Sequence, residues 1–147
     1  MLSDALKDQI REAYAAITAA KGLKPRWGQR QMIAEIANAL ARINPETGRA
    51  RPETPAVCVI EAGTGTGKTI AYAVTAIPLA QALGKRLVVA TATVALQEQF
   101  VNKDLPDIRQ HSGLEFSYTL AKGRRRYVCL SKLDHHLGGS GAGDVLP

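Results

Sequence analysis

Between residues 62 and 69 the chain reads Ala62-Gly63-Thr64-Gly65-Thr66-Gly67-Lys68-Thr69, directly behind the apolar run Val57-Cys58-Val59-Ile60-Glu61. This order constrains the fold more than any other feature. Apolar run, glycine-rich loop, Lys-Thr and helix together predict a phosphate-binding loop that joins a buried strand to a helix. Glycines at 63, 65 and 67 let successive N–H groups turn inward around phosphate oxygens. Lys68 adds a mobile charge for the outer phosphates, and the Thr69 hydroxyl is the expected magnesium ligand. Ala62 stands where the strict pattern has its first glycine, a position that accepts a methyl group. The motif implies a nucleoside triphosphate, with Lys68 and Thr69 as its catalytic residues. What the nucleotide drives must come from other residues.

Two amphipathic helices are expected upstream. Ser3 can cap the first, whose apolar face is Leu6, Ile10, Ala13, Tyr14 and Ile17, with Gly22 as its stop. The second runs from about Gln29 to Ala41 and buries Met32, Ile33, Ile36, Ala37 and Leu40. Asn44 to Pro55, with three prolines and a glycine, reads as a surface loop. After the phosphate loop a helix carries Ile70, Ala73, Val74 and Ile77 towards Gly84, with a kink expected near Pro78. Leu87-Val88-Val89-Ala90 follows at βαβ distance as a second buried strand. Thr93 can cap another helix containing Val94, Leu96, Gln97 and Phe100, and residues 116–120 read as a third strand. The alternation predicts an α/β fold, a parallel sheet with helices on both faces, preceded by two N-terminal helices. It divides the chain into a helical extension (1–43), a Pro-rich loop (44–55), the first half of a nucleotide-binding domain (56–121), a basic segment (122–133) and a flexible glycine-rich tail (134–147).

Size and charge set the outer bounds. With 147 residues and 46% apolar composition, the chain can build a core. No apolar stretch approaches the roughly 20 residues that cross a bilayer, and the N-terminus lacks a basic start followed by an apolar block, so no membrane partner and a cytoplasmic location are expected. Cys58 and Cys129 are distant in sequence and are not expected to pair in a reducing compartment. Each reads locally as a small hydrophobe, and two cysteines cannot supply the four thiolates of an iron-sulfur cluster. His111, His135 and His136 read as surface residues. A formal charge of +6 suits a polyanionic partner.

Three further segments carry possible chemistry. Arg26-Trp27-Gly28-Gln29 lies upstream of the phosphate loop, where a glutamine amide, donor and acceptor at once, could read an adenine edge; alone, it would be solvated surface. Thr91 and Thr93 follow the second apolar run and either touch a nucleic-acid phosphate or only cap the next helix. Lys122-Gly123-Arg124-Arg125-Arg126-Tyr127 places four positive charges and an aromatic ring in six residues. It is a solvated loop, or a grip on single-stranded nucleic acid in which Tyr127 stacks on a base.

Taken in order, Pro25-Arg26-x-x-Gln29-Arg30-Gln31-Met32-Ile33, Glu61 to Thr69, Thr91 to Gln97, Lys103-Asp104-Leu105-Pro106 and Gly123-Arg124-x-Arg126-Tyr127-Val128-Cys129 closely resemble the opening segment of the DinG family. These are XPD-like superfamily-two DNA helicases. The resemblance covers about residues 1 to 133. It implies a RecA-like ATP-binding domain, 5′ to 3′ unwinding of DNA coupled to ATP hydrolysis, and work in DNA repair and replication. It assigns Arg26 and Gln29 to adenine, Ala62 to Thr69 to phosphates and magnesium, and Thr91 and Thr93 to the DNA backbone. Lys122, Arg124, Arg125, Arg126 and Tyr127 would line the DNA path, and Cys129 would be the first of four [4Fe-4S] ligands. The implied partners are ATP, Mg2+ and single-stranded or forked DNA, with the protein a monomer.

The chain also departs from that pattern. It contains no adjacent acidic pair to hold magnesium and activate water, three cluster cysteines are missing, and no second RecA-like domain is present. It therefore reads as the opening of a longer enzyme, itself inactive in hydrolysis and unwinding. Two alternatives stay open on the residues alone. One is a small-molecule phosphotransferase with the arginine run as a lid; the other is a non-catalytic nucleic-acid-binding module.

Overall fold

A computed structural model describes residues 2–50 and 53–138. The glycine-rich tail from residue 139 onward, read above as flexible, lies outside the described residues, as do positions 51 and 52 of the Pro-rich loop. The chain divides into two compact units, Met1–Ser117 and Tyr118–Pro147.

The first unit is built from helices. α1 spans Asp4–Ala20 and starts at Ser3, whose hydroxyl accepts from Leu6 N at 3.3 Å. It closes with Leu23 N donating to Thr18 O at 2.8 Å, around Gly22. α2 spans Trp27–Leu40, beginning two residues before the sequence reading placed it. α3 spans Lys68–Ala82 and ends in the same way as α1, Lys85 N donating to Ala80 O at 2.8 Å beyond Gly84. α4 (Val94–Gln99) runs through a π-helical turn, Phe100–Asp104, into α5 (Leu105–His111). Pro106 sits in the first turn of α5, directly behind the π-helical turn.

α3 is the centre of this unit. Ala71 and every residue from Ala73 to Leu79 are buried, because α3 packs against α2, α1 and α5. A helix covered on most sides needs apolar residues on most sides, and Lys68–Ala82 has them. The helix continues through Pro78, which is fully buried. The core joins Ala13, Tyr14 and Ile17 of α1 to Ala73, Val74 and Ile77 of α3, Ile108 of α5, and Leu114 beyond it. Thr18 and Thr75 are buried without orphaned hydroxyls, since each donates one turn back, to Tyr14 O (2.8 Å) and Ala71 O (2.7 Å). Lys21 and Asp107 form an ion pair that ties the end of α1 to α5.

The expected parallel sheet is not present, and with it falls the α/β, RecA-like arrangement of helices on two sheet faces. No strand occurs among the described residues, where an isolated antiparallel bridge joins Ile43 and Ala50. A continuous apolar run signals shelter on both faces only when neighbouring strands, about 4.8 Å away on either side, take its ladder hydrogen bonds. The runs 57–61, 87–90 and 116–120 form no strand. Val59 is 92% exposed and Val88 84%, values incompatible with central strands. Cys58, expected to be a sheltered hydrophobe, is exposed for the same reason. The apolar burial that forms the core is helix against helix.

In the second unit, residues 124–126 form one 3-10 turn and α6 spans Leu130–Gly138. α6 thus covers positions 134–138, the start of the stretch read as tail. Leu130, Leu133 and Leu137 on it are exposed.

Candidate nucleotide site

The loop before α3 carries two glycines with positive φ and a lysine folded back over it. Gly65 (φ 75°) and Gly67 (φ 80°) both occupy left-handed backbone, and Gly67 is the residue from which α3 departs. Such positive-φ positions turn main-chain N–H groups into a concave nest at a helix N-terminus, where the helix dipole favours an anion. The Lys68 ammonium folds back over the loop, donating to Ala62 O at 2.6 Å and Gly63 O at 2.8 Å. Thr66 Oγ1 donates to Gly63 O at 2.8 Å. Lys68 and the exposed Gly63, Thr64 and Gly65 line an open loop.

Thr69 opens the helix beside Tyr72. Burial pushes the Tyr72 phenol above its ordinary range, a hydrogen bond with Thr69 opposes the shift, and the Asp104 carboxylate adds to it. Asp104 is itself raised, again chiefly by burial, with a hydrogen bond from Gln99 working against it. The Tyr72 and Phe100 rings pack with centroids 5.9 Å apart. The start of α3 is therefore braced by the π-helical turn.

Arg26 and Gln29, 39 and 36 positions before Gly65, come to the loop at the start of α2. Arg26 Nη1 donates to Gly65 O at 2.8 Å. Gln29 is buried, and its side chain lies against the backbone of Gly67. Between α2 and the segment leading into the loop lies a cleft of about 460 Å³, whose walls include Arg26, Gln29 and Met32 on one side and Ile60, Glu61 and Ala62 on the other.

A residue that sequence reasoning assigned only to packing completes this arrangement. The Tyr14 hydroxyl donates to Gln29 Oε1 at 2.7 Å and accepts from Arg26 N at 3.2 Å. Tyr14 belongs to the apolar face of α1, and its periodicity says nothing of the hydroxyl. The available signal is chemical: a tyrosine on an otherwise aliphatic buried face must find a polar partner for its hydroxyl.

The remaining candidates are placed separately. Thr93 caps α4, its hydroxyl accepting from Leu96 N at 3.2 Å, and Thr91 Oγ1 donates to Thr93 O at 3.2 Å. In the second unit, Lys122, Arg124, Arg125, Arg126 and Tyr127 are exposed. The Tyr127 hydroxyl accepts from Lys122 N at 2.7 Å, folding the basic segment into a tight loop with its arginines on one short turn. Cys129 is exposed, and its carbonyl accepts from Leu133 N at 2.9 Å at the start of α6. Among the described residues no group of three or more His, Cys, Asp or Glu side chains could hold a metal ion.

Residues 22–125 match the family described as type III restriction enzyme, res subunit. The chain is also similar to the ATP-dependent DNA helicase DinG of Photobacterium profundum, with 42% identity over 135 residues, 91% of this chain and 18% of that protein. It is 36% identical over 150 residues to the ATP-dependent helicase DinG of Mycobacterium tuberculosis, covering 99% of this chain and 21% of that protein. Against the Salmonella choleraesuis ATP-dependent DNA helicase DinG it is 44% identical over 129 residues, 87% of this chain and 16% of that protein. The chain thus spans 16 to 21% of the length of these relatives.

Proposed function

Because the chain belongs to the family described as type III restriction enzyme, res subunit, which matches it over residues 22–125, we propose that it is the nucleotide-binding opening of an ATP-dependent DNA helicase of the DinG kind. The observation that carries this reading is the convergence of Arg26, Gln29, Gly65, Gly67 and Lys68 on one loop and its adjoining cleft. A phosphate loop alone would fit many nucleotide enzymes. A glutamine and an arginine brought to its flank by a preceding helix supply a place for the base as well.

In this reading the main-chain amides of residues 62–69 hold the triphosphate. Lys68 exchanges its two carbonyl partners for phosphate oxygens, whose full charges attract the ammonium more strongly. Thr69 holds magnesium, which on binding would offset phosphate charge and polarise the transferring phosphoryl group. Arg26, bonded to Gly65 O, keeps the loop in register with the base site.

The DNA contacts are a separate part of the proposal. Thr91 and Thr93 would meet the strand's backbone, while Lys122, Arg124, Arg125 and Arg126 grip phosphates and Tyr127 stacks on a base. Unwinding with 5′ to 3′ polarity, roles in repair and replication, a monomeric state and a cytoplasmic setting belong to the same reading. In support of the last, no helix among the described residues is long and apolar enough to cross a membrane. The residues present do not fit a [4Fe-4S] cluster. The sequence holds two cysteines, Cys58 and Cys129, where four thiolates are required. Cys129 would serve as one ligand only together with three further thiolates that this sequence does not hold.

The test is single-stranded DNA binding measured by fluorescence anisotropy across a salt series. Arg124→Ala and Arg125→Ala should each weaken binding and lower the slope of log affinity against log salt by about 0.7. Lys68→Ala should leave DNA affinity intact. DNA affinity that ignores both arginines, together with phosphate transfer to a small acceptor, would support the phosphotransferase reading instead.

A further inference from the structure

Thr69 is the second residue of α3, and a hydrogen bond joins its side chain to the Tyr72 hydroxyl. The spacing makes this contact natural. An aromatic side chain on a helix leans towards the N-terminus over the residue three positions back, so the Tyr72 phenol reaches the opening turn where the phosphate loop ends. Its ring is held in turn. Phe100 packs on it with centroids 5.9 Å apart, and the Asp104 carboxylate lies near enough to act on its hydroxyl. Both come from the π-helical turn, Phe100 at its start and Asp104 at its end.

A threonine on a helix divides between two rotamers, because its hydroxyl can turn back to a carbonyl of the preceding turn. The bond to Tyr72 selects one of them. A hydroxyl that gives an oxygen lone pair to a cation keeps its proton to donate, and at Thr69 the Tyr72 oxygen stands ready to accept it. The two contacts then support each other, since a cation on the oxygen makes the proton a stronger donor.

We propose that Tyr72 is a positioning residue for the magnesium ion of the bound nucleotide, holding the Thr69 hydroxyl in the rotamer that offers its oxygen to the ion. The inference rests on the reading of this loop as a Mg-ATP site. Its test is calorimetric titration of ATP into the 147-residue chain, once in excess Mg2+ and once in EDTA. The same pair of titrations is run on Tyr72→Phe, on Thr69→Val and Thr69→Ser, and on Tyr72→Phe combined with each. Tyr72→Phe keeps the ring against Phe100 and removes only the hydroxyl; thermal melting checks that it folds. The wild-type chain should bind ATP more tightly in Mg2+ than in EDTA. Tyr72→Phe should weaken binding in Mg2+ about tenfold and leave binding in EDTA unchanged, because the loop amides and Lys68 are untouched. In the Thr69→Val background, which lacks the hydroxyl, Tyr72→Phe should add nothing further. In Thr69→Ser, which keeps one, the loss should return.

Unchanged affinity of Tyr72→Phe in Mg2+ overturns the proposal, as does an equal loss in Mg2+ and in EDTA, which would make Tyr72 a support of the fold alone. A further loss in the Thr69→Val background overturns it too. A wild-type chain that binds ATP equally well with and without Mg2+ also overturns it while leaving the nucleotide site standing. A wild-type chain that binds ATP under neither condition removes the ATP site itself, and this inference with it.

Discussion

The side chain of Gln29 lies so close against Gly67 that a methyl group added there would overlap Gln29 Nε2 and stand 3.1 Å from its Cδ. Gly67 also holds a left-handed φ of 80°. Two costs therefore coincide at one position. Gly67→Ala should destabilise the chain by about 2 kcal/mol, roughly half from the backbone and half from displacing Gln29 out of its bond with Tyr14. In urea unfolding, Gly67→Ala with Gln29→Ala should cost less than the two single changes added together. Strict additivity would show that the contact does not matter.

The ion pair between Lys21 and Asp107 predicts a pH dependence. The hydrogen bond from Lys21 holds the Asp107 carboxyl below its ordinary range, against a smaller opposing effect of burial. A carboxylate whose folded-state value is depressed contributes stability above its unfolded value of about 3.9, and that contribution is lost as pH falls through the folded value. Asp107→Asn should cost up to about 1 kcal/mol at pH 7, a modest figure because the pair is partly exposed. The difference from wild type should close below about pH 4. Asp104 runs the opposite way. Burial raises it, so its ionisation works against folding as pH rises, and Asp104→Asn should stabilise the chain at pH 7. Denaturant melts at pH 3 and pH 7 check both signs.

Thr93 allows helix capping and phosphate contact to be told apart. Its hydroxyl caps α4 through Leu96 N. Aspartate caps as well as threonine, yet brings a negative charge. Thr93→Asp should keep the helicity and unfolding midpoint of the wild type, whereas Thr93→Ala should lose about 1 kcal/mol. If Thr93 meets a DNA phosphate, Thr93→Asp should weaken single-stranded DNA binding several-fold more than Thr93→Ala. Equal binding by the two variants would leave Thr93 a cap and nothing more.

The sequence is legible where local physics decides the outcome. Ser3 and Thr93 cap helices because a short side-chain hydroxyl can reach the free N–H groups of the first turn, whatever lies elsewhere. The apolar spacing of α1 places Ile10, Ala13, Tyr14 and Ile17 in the interior. Of the three glycines in the phosphate loop motif, Gly65 and Gly67 take positive φ and Gly63 does not. What failed depends on partners far away in the chain. Val57-Cys58-Val59 and Leu87-Val88 look like central strands, but a strand is completed by its neighbours, and among the described residues none supplies a ladder. Phe100–Asp104 takes a π-helical turn that no composition cue announces. The contact of Tyr14 with Gln29 spans 15 positions and that of Lys21 with Asp107 spans 86, so neither is visible as a pattern.

The account stands on a triphosphate held by the loop from Ala62 to Thr69, and calorimetric titration of Mg-ATP into the 147-residue chain tests this most directly. A single saturable site is predicted, weakened at least about tenfold in Lys68→Ala because the charge facing the outer phosphates is gone. Absence of binding heat in the wild type, or equal affinity in Lys68→Ala, would contradict it.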